Sequence, residues 1–151
     1  MDVTKPTDVE LISALPAYIR ETRTAINALS GGGDVGVTNL NAPAGTTSLT
    51  VGTDVGRFGY EIVIISAAAA INLSSILGGI EGQTKTFIFQ DNNISVVDGL
   101  ALGGAIYLNQ LPALSSLVAQ AGDVLTLVNI GGNGSTIQGY WKEISRQIAL
   151  K

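Results

Sequence analysis

Two different spacings of apolar residues divide this chain. Near its start, Ile12, Leu15, Ile19, Thr22, Ile26 and Leu29 recur at alternating steps of three and four. That spacing lines one face of a helix, and over two and a half heptads it makes an a/d stripe. Thr7 and Glu10 form a capping-box pair ahead of it, hydroxyl and carboxylate each satisfying an exposed N–H. Pro16 has no backbone donor, so the pattern predicts a short helix, a break near Leu15, and a second helix opening on Pro16. Arg20, Glu21 and Arg23 lie off the stripe and keep the other side wet. Ser30-Gly31-Gly32-Gly33 then stops the helix and detaches it from the rest of the chain. Such a stripe either packs on its own domain or docks on a partner, because a helix this short is marginal alone.

From Val35 onward the period changes to two. The alternation predicts strands at Thr47–Val51, Tyr60–Ser66, Lys85–Gln90, Ile94–Val97, Ala105–Leu108, Val124–Asn129 and Gln138–Ser145. Turn-forming runs separate them: Asn41-Ala42-Pro43-Ala44-Gly45, Asp91-Asn92-Asn93, Asp98-Gly99 and Gly131-Gly132-Asn133-Gly134. Thr86–Phe89 and Leu125–Val128 read as core strands, and Leu111–Ala121 as one helical turn or an ordered loop. The expected class is mainly β: an N-terminal helical anchor, then an antiparallel β-sandwich or jelly-roll-like body. The expected organisation is a helical attachment or oligomerisation segment over 1–30, a glycine-rich hinge over 31–36 and a β-rich domain over 37–151.

Charge sharpens this picture. Between Val35 and Trp141 the charged residues are Asp54, Arg57, Glu61, Glu81, Lys85, Asp91, Asp98 and Asp123; the other twelve of twenty lie in the first 34 residues or the last ten. So little charge over a hundred residues suggests a body partly covered by copies of itself. With a net charge of −4 and only Arg57 and Lys85 basic between Thr24 and Trp141, no nucleic-acid partner is expected. The longest apolar run, Ile62–Ile71, is half of the roughly 20 residues a membrane helix needs, so membrane insertion is not expected either. No apolar leader follows Asp2 and Lys5.

Catalytic chemistry is poorly supplied. The chain has no histidine and no cysteine, which excludes imidazole general bases, Ser–His–Asp and Cys–His arrangements, disulfides and the common zinc sites. Asp91 with Asp98, beside Asn92 and Asn93, is the best acidic pair, and turn chemistry explains it better than calcium binding. Gly31-Gly32-Gly33-Asp34-Val35-Gly36 matches a dinucleotide fingerprint literally but follows a helix and opens a strand, the reverse of what phosphate binding requires. Gly79–Thr86 resembles a Walker loop loosely, with Thr84 where glycine is needed. No enzymatic activity, metal or cofactor is expected. Tyr140-Trp141 reads as core packing or a subunit contact, with the indole N–H bonded, rather than as a sugar-stacking pair.

The segment Asp8–Asn27, with Leu15-Pro16-Ala17-Tyr18-Ile19-Arg20 followed by Arg23 and Ile26-Asn27, resembles the N-terminal adaptor of fibre, spike and decoration proteins of tailed bacteriophages. The stretches Ile71-Asn72-Leu73, Gly78–Gln83, Phe87-Ile88-Phe89, Asn93-Ile94-Ser95, Gly122–Val128 and Tyr140–Arg146 resemble, in that order, the β-domains of such fibres. The resemblance implies a homotrimeric virion structural protein, a short head fibre or capsid decoration protein assembled in the bacterial host cytoplasm. Its partners would be phage capsid or tail proteins. Leu11, Ile12, Leu15, Tyr18, Ile19, Ile26 and Leu29 would dock or trimerise, Gly31, Gly32 and Gly33 would form the hinge, and the apolar strands would build the trimer core. Long shaft repeats are absent, and Ile at a with Leu at d favours two strands, so a trimer would be held by the β-body. The alternative is a tail-associated, receptor-binding fibre tip that recognises host glycan through loops carrying Asp91, Asn92, Asn93, Asn133 and Ser135.

Overall fold

The structure is a computed structural model that describes residues 35–99, 101–109 and 116–149. The described part is mainly β, as expected, with no helix among the described residues. An eight-stranded curled sheet runs in the order β1 (Val35–Ala42), β3 (Tyr60–Ala67), β6 (Thr84–Phe89), β10 (Val124–Ile130), β11 (Tyr140–Gln147), β8 (Ala105–Tyr107), β5 (Ser75–Leu77), β2 (Ser48–Thr50). A three-stranded sheet of β4 (Ile71–Leu73), β7 (Ile94–Val97) and β9 (Ser116–Val118) closes over its inner side.

The antiparallel expectation is corrected: the sheets are mixed. β1–β3, β3–β6, β11–β8, β2–β5 and β4–β7 pair in parallel, while β6–β10, β10–β11, β5–β8 and β7–β9 are antiparallel. The reason lies in where the turns lead. Among the described residues only the loop from Gly131 to Gly139 joins two paired neighbours as a hairpin does. Asp91–Asn93 and Asp98–Gly99 carry the chain from one sheet to the other, and Pro43–Thr47 sends it to the far edge of the large sheet. A chain that keeps crossing between sheets returns beside an earlier strand in the same direction.

Period-two alternation sets the core. Val63 and Ile65, Phe87 and Phe89, Leu125 and Leu127, and Trp141 are buried from the large sheet, together with Ile71, Leu73, Ile94, Val96 and Leu117 from the small one. Trp141 is fully buried and its Nε1–H donates to the Ile76 carbonyl at 2.9 Å, which joins β11 to β5. Glycine is required where β8 and β11 begin: Gly104 and Gly139 have φ of +64° and +62°. A Cβ there would stand 2.2 Å from the Ile76 carbonyl oxygen and 2.4 Å from that of Ile130.

Leu111–Ala121, expected as a helical turn or loop, contributes β9 from its described part. The strands β4 and β5 were not expected, and β1, read only as a strand opening after the glycine run, extends to Ala42. β1 takes in Val35 and Gly36, so regular structure starts inside the span assigned to the hinge.

Candidate functional site

The outer side of the large sheet follows from the same alternation. β1 places Val37, Asn39 and Asn41 there; β3 adds Ile62, Ile64 and Ser66; β6 adds Thr84, Thr86 and Ile88; β10 adds Val124, Thr126, Val128 and Ile130. Register aligns them into rows, such as Val37–Ile62–Thr86–Thr126 and Asn39–Ile64–Ile88–Val124. Thr86 and Thr126 share a hydroxyl–hydroxyl hydrogen bond of 3.0 Å in mid-sheet. Across these four strands the outer side carries no charged side chain. Lys142 on β11, opposite Val128, is the first charge encountered.

One end of the large sheet is formed where β1, β3, β6, β8 and β11 begin and β10 finishes. This near end exposes Phe58, Tyr60, Ile80, Leu102, Ile137 and Tyr140. Its loops are tied down: Gln83 accepts from Ile80 N–H and donates to the Arg57 carbonyl, Gln138 accepts from Gly78 N–H, and Asn129 accepts from Gly132 N–H. A cavity of about 70 Å³ here, lined by Val51, Arg57, Gly78, Ile80, Gln83 and Gly134, is large enough for a few waters only. Just above the end, Tyr107 and Tyr140 meet edge to face with ring centroids 5.3 Å apart. With Lys142 they line a shallow hollow of about 380 Å³.

Glu61 and Lys85, register partners on β3 and β6, are both fully buried and form an ion pair of 2.9 Å. Every donor of the ammonium is used, on Glu61, the Gly56 carbonyl at 2.7 Å and the Phe58 carbonyl at 3.0 Å. The carboxylate also accepts from Gly56 N–H at 2.7 Å and from the Thr38 hydroxyl. Burial lowers the Lys85 pKa, while the hydrogen bond and the charge of Glu61 raise it. The pair pins the Gly56–Phe58 loop against β1 and is sealed from any substrate, so its role is structural.

The loops singled out for recognition lie at opposite ends. Asp91, Asn92 and Asn93 sit at the far end, beside the start of β10, and Asn133 and Ser135 at the near end, beyond its finish. Their polar atoms are largely occupied by the fold. Asp91 accepts from Ala67 and Asn93 N–H, Asn92 from Ala121 N–H, and Asn93 donates to the Ala67 carbonyl. Asn133 Oδ1 accepts from the N–H groups of Ser135 and Ile137, and its Nδ2 donates to Thr136. The structure therefore does not bring these five residues together. Asp98 is buried and accepts from Leu108 N–H, apart from Asp91. Among the described residues no group of acids could hold a metal ion.

Leu11, Ile12, Leu15, Tyr18, Ile19, Ile26, Leu29 and the hinge glycines Gly31, Gly32 and Gly33 lie outside the described residues. Sequence reasoning missed the tyrosine pair, because Tyr107 and Tyr140 meet only through the parallel β8–β11 pairing. The apolar outer side had a visible signal in Ile62-Val63-Ile64-Ile65, where both alternating sets are apolar. No family model matches the chain, and neither does any curated protein or solved structure.

Proposed function

We propose that this chain is a virion structural protein of a tailed bacteriophage, a short trimeric head fibre or capsid decoration protein with no catalytic role. The N-terminal segment would attach it to the particle, and the uncharged outer side of β1, β3, β6 and β10 would join the copies. That side is the observation that carries the reading. An apolar and threonine-rich sheet face four strands wide is what an interface between copies offers, since obligate contacts resemble a domain core cut in half. The adaptor-like leader and the fibre-like order of motifs supply the phage assignment.

Light scattering on the purified chain, with and without residues 1–30, tests this. A trimer in both places the interface in the β-body and leaves the leader to the particle. A monomer after truncation makes the leader the trimerisation element, and a monomer in both defeats the fibre reading. The truncated body should also fail to bind particles; a truncated body that still decorated them would remove the leader's role.

Recognition of host glycan is the second reading, and one observation favours it. Tyr107 and Tyr140, both exposed, stand with Lys142 around an open hollow, and sugars commonly stack on such rings. Binding on a glycan array that is lost in Tyr140→Ala would favour the fibre tip over the decoration protein.

A further inference from the structure

Tyr107 and Tyr140 form a corner. Their ring planes stand at 86° with centroids 5.3 Å apart, so one ring is a floor and the other a wall. Ala105, the small register partner of Tyr140, gives the two rings room to meet. Buried neighbours hold the backbone of both strands. Trp141 follows Tyr140 and is bonded to the Ile76 carbonyl. Ile106 and Leu108 flank Tyr107, and Leu108 N–H donates to the buried Asp98 carboxylate at 2.7 Å. The corner is therefore formed before a ligand arrives, which lowers the cost of binding.

Lys142 supplies the charge. It is the register partner of Tyr107 and follows Tyr140 at the strand period of two, so all three side chains leave the same side of the sheet. Just beyond it β11 bulges at Ile144, which has no register partner on β10, and a bulge bends its strand and re-aims nearby side chains. Among the described residues no carboxylate pairs with Lys142: Glu143 takes Arg146, and Glu61 takes Lys85. Its register partners, Tyr107 and Val128, cannot neutralise it.

These features select a ligand. An open hollow suits a molecule with one apolar side and one hydrated side. A pyranose is built so: its C–H bonds meet the negative face of an aromatic ring while its hydroxyls keep water. A lone ammonium adds one anionic group. Lys85 is buried and Arg57 lines the near-end cavity, so no run of cations is there to follow a phosphate chain. We propose that the hollow of Tyr107, Tyr140 and Lys142 binds a pyranose residue that carries a carboxylate, its ring stacked in the tyrosine corner and its carboxylate on the Lys142 ammonium. The proposal rests on the glycan reading of this hollow and names its ligand class. It does not need the assembly role, because the hollow lies on β8 and β11, beside the uncharged strands that would join copies.

Methyl β-glucuronide and methyl β-glucoside differ only in a carboxylate against a hydroxymethyl group. Titrating each into the isotope-labelled full chain, followed by NMR, tests the proposal. The expected result is a set of shifts at the Tyr107, Tyr140 and Lys142 amides. The glucuronide should bind about tenfold more tightly, a ratio that one charge-assisted hydrogen bond supplies. Lys142→Gln keeps the stem without the charge and should bring both glycosides to the same affinity, whereas Lys142→Arg should keep the preference. Tyr140→Ala, checked for its fold by the same spectra, should bind neither. Equal binding of the two by the native chain, or a preference that survives Lys142→Gln, would overturn the acidic ligand and leave glycan recognition standing. No shift around the hollow with either glycoside would overturn both. A chain that is monomeric by light scattering yet prefers the glucuronide would uphold this inference and defeat the trimer.

Discussion

Replacing Ile88 by lysine probes the sheet face at its centre. Ile88 lies in register between Ile64 and Val124, on four strands whose outer side carries no charge. In an isolated chain the change should cost little. Ile88 is only partly buried, a lysine stem can cover the same neighbours while its ammonium reaches water, and strand preferences span about 1 kcal/mol. In a trimer closed through this face, each copy would lose roughly 1.5–3 kcal/mol of side-chain burial. It would also have to desolvate an ammonium, at several kcal/mol. With about 5 kcal/mol per copy and a factor of ten per 1.4 kcal/mol, dissociation strengthens by more than about a thousandfold. Light scattering and urea unfolding of Ile88→Lys beside Ile88→Thr form the assay; threonine keeps the β-branch and matches Thr86 and Thr126 in the adjacent row. The expected outcome is a trimer for the native chain and Ile88→Thr, and a folded monomer for Ile88→Lys. A folded Ile88→Lys protein that keeps its trimeric mass refutes the assignment of this face.

Three further predictions concern stability. Lys85→Met leaves the Glu61 carboxylate buried without its counter-charge, and urea unfolding should show a loss of about 3–5 kcal/mol; a loss below about 1 kcal/mol would mean that water reaches the pair. Because burial lowers the Lys85 pKa beneath its ordinary 10.5, the unfolded chain binds that proton more tightly, so this group's contribution to stability rises with pH between the folded value and 10.5. The urea midpoint of the native chain measured at rising pH should show that slope, and Lys85→Met should lack it. Gly104→Ala forces a Cβ to within 2.2 Å of the Ile76 backbone at positive φ, and calorimetry should find it destabilised by more than the roughly 1 kcal/mol typical of a benign substitution.

How far the sequence discloses this fold depends on the length of each alternation. Ile94–Val97 is a strand with the limits its pattern predicts, and β3, β6, β10 and β11 lie within two residues of theirs. Each has several bulky β-formers in alternation. Ile71–Leu73 and Ser75–Leu77 are too short to show a period, and Ser74 between them conceals a change of sheet. In β1, Asn39 and Asn41 weaken the pattern because they read as turn residues. Strand direction was not legible, since a turn signal marks a reversal without naming the sheet that the chain enters next. Nor was the Glu61–Lys85 pair, whose members are 24 positions apart and meet only through the parallel β3–β6 register.

The scarcity of charge is deeper in the structure than in the sequence. Of the eight charged residues between Val35 and Trp141, Glu61, Lys85, Asp98 and Asp123 are buried. Asp54, Arg57, Glu81 and Asp91 remain to meet water, the first three at the near end and Asp91 at the far end. None stands on the sheet face between those ends, so its lack of charge reflects placement as well as composition. The adjoining edge strand β1 adds to the consequence: among the described residues it pairs with β3 on one side only. Proteins that stay monomeric usually guard such edges with lysine, proline or a bulge, and Val35–Ala42 has no charged residue and no proline. A contact between copies that wraps around β1 would cover the open edge and the uncharged face together. Lysine at Asn39, on that edge and in the row of Ile64 and Ile88, should therefore weaken association as Ile88→Lys does.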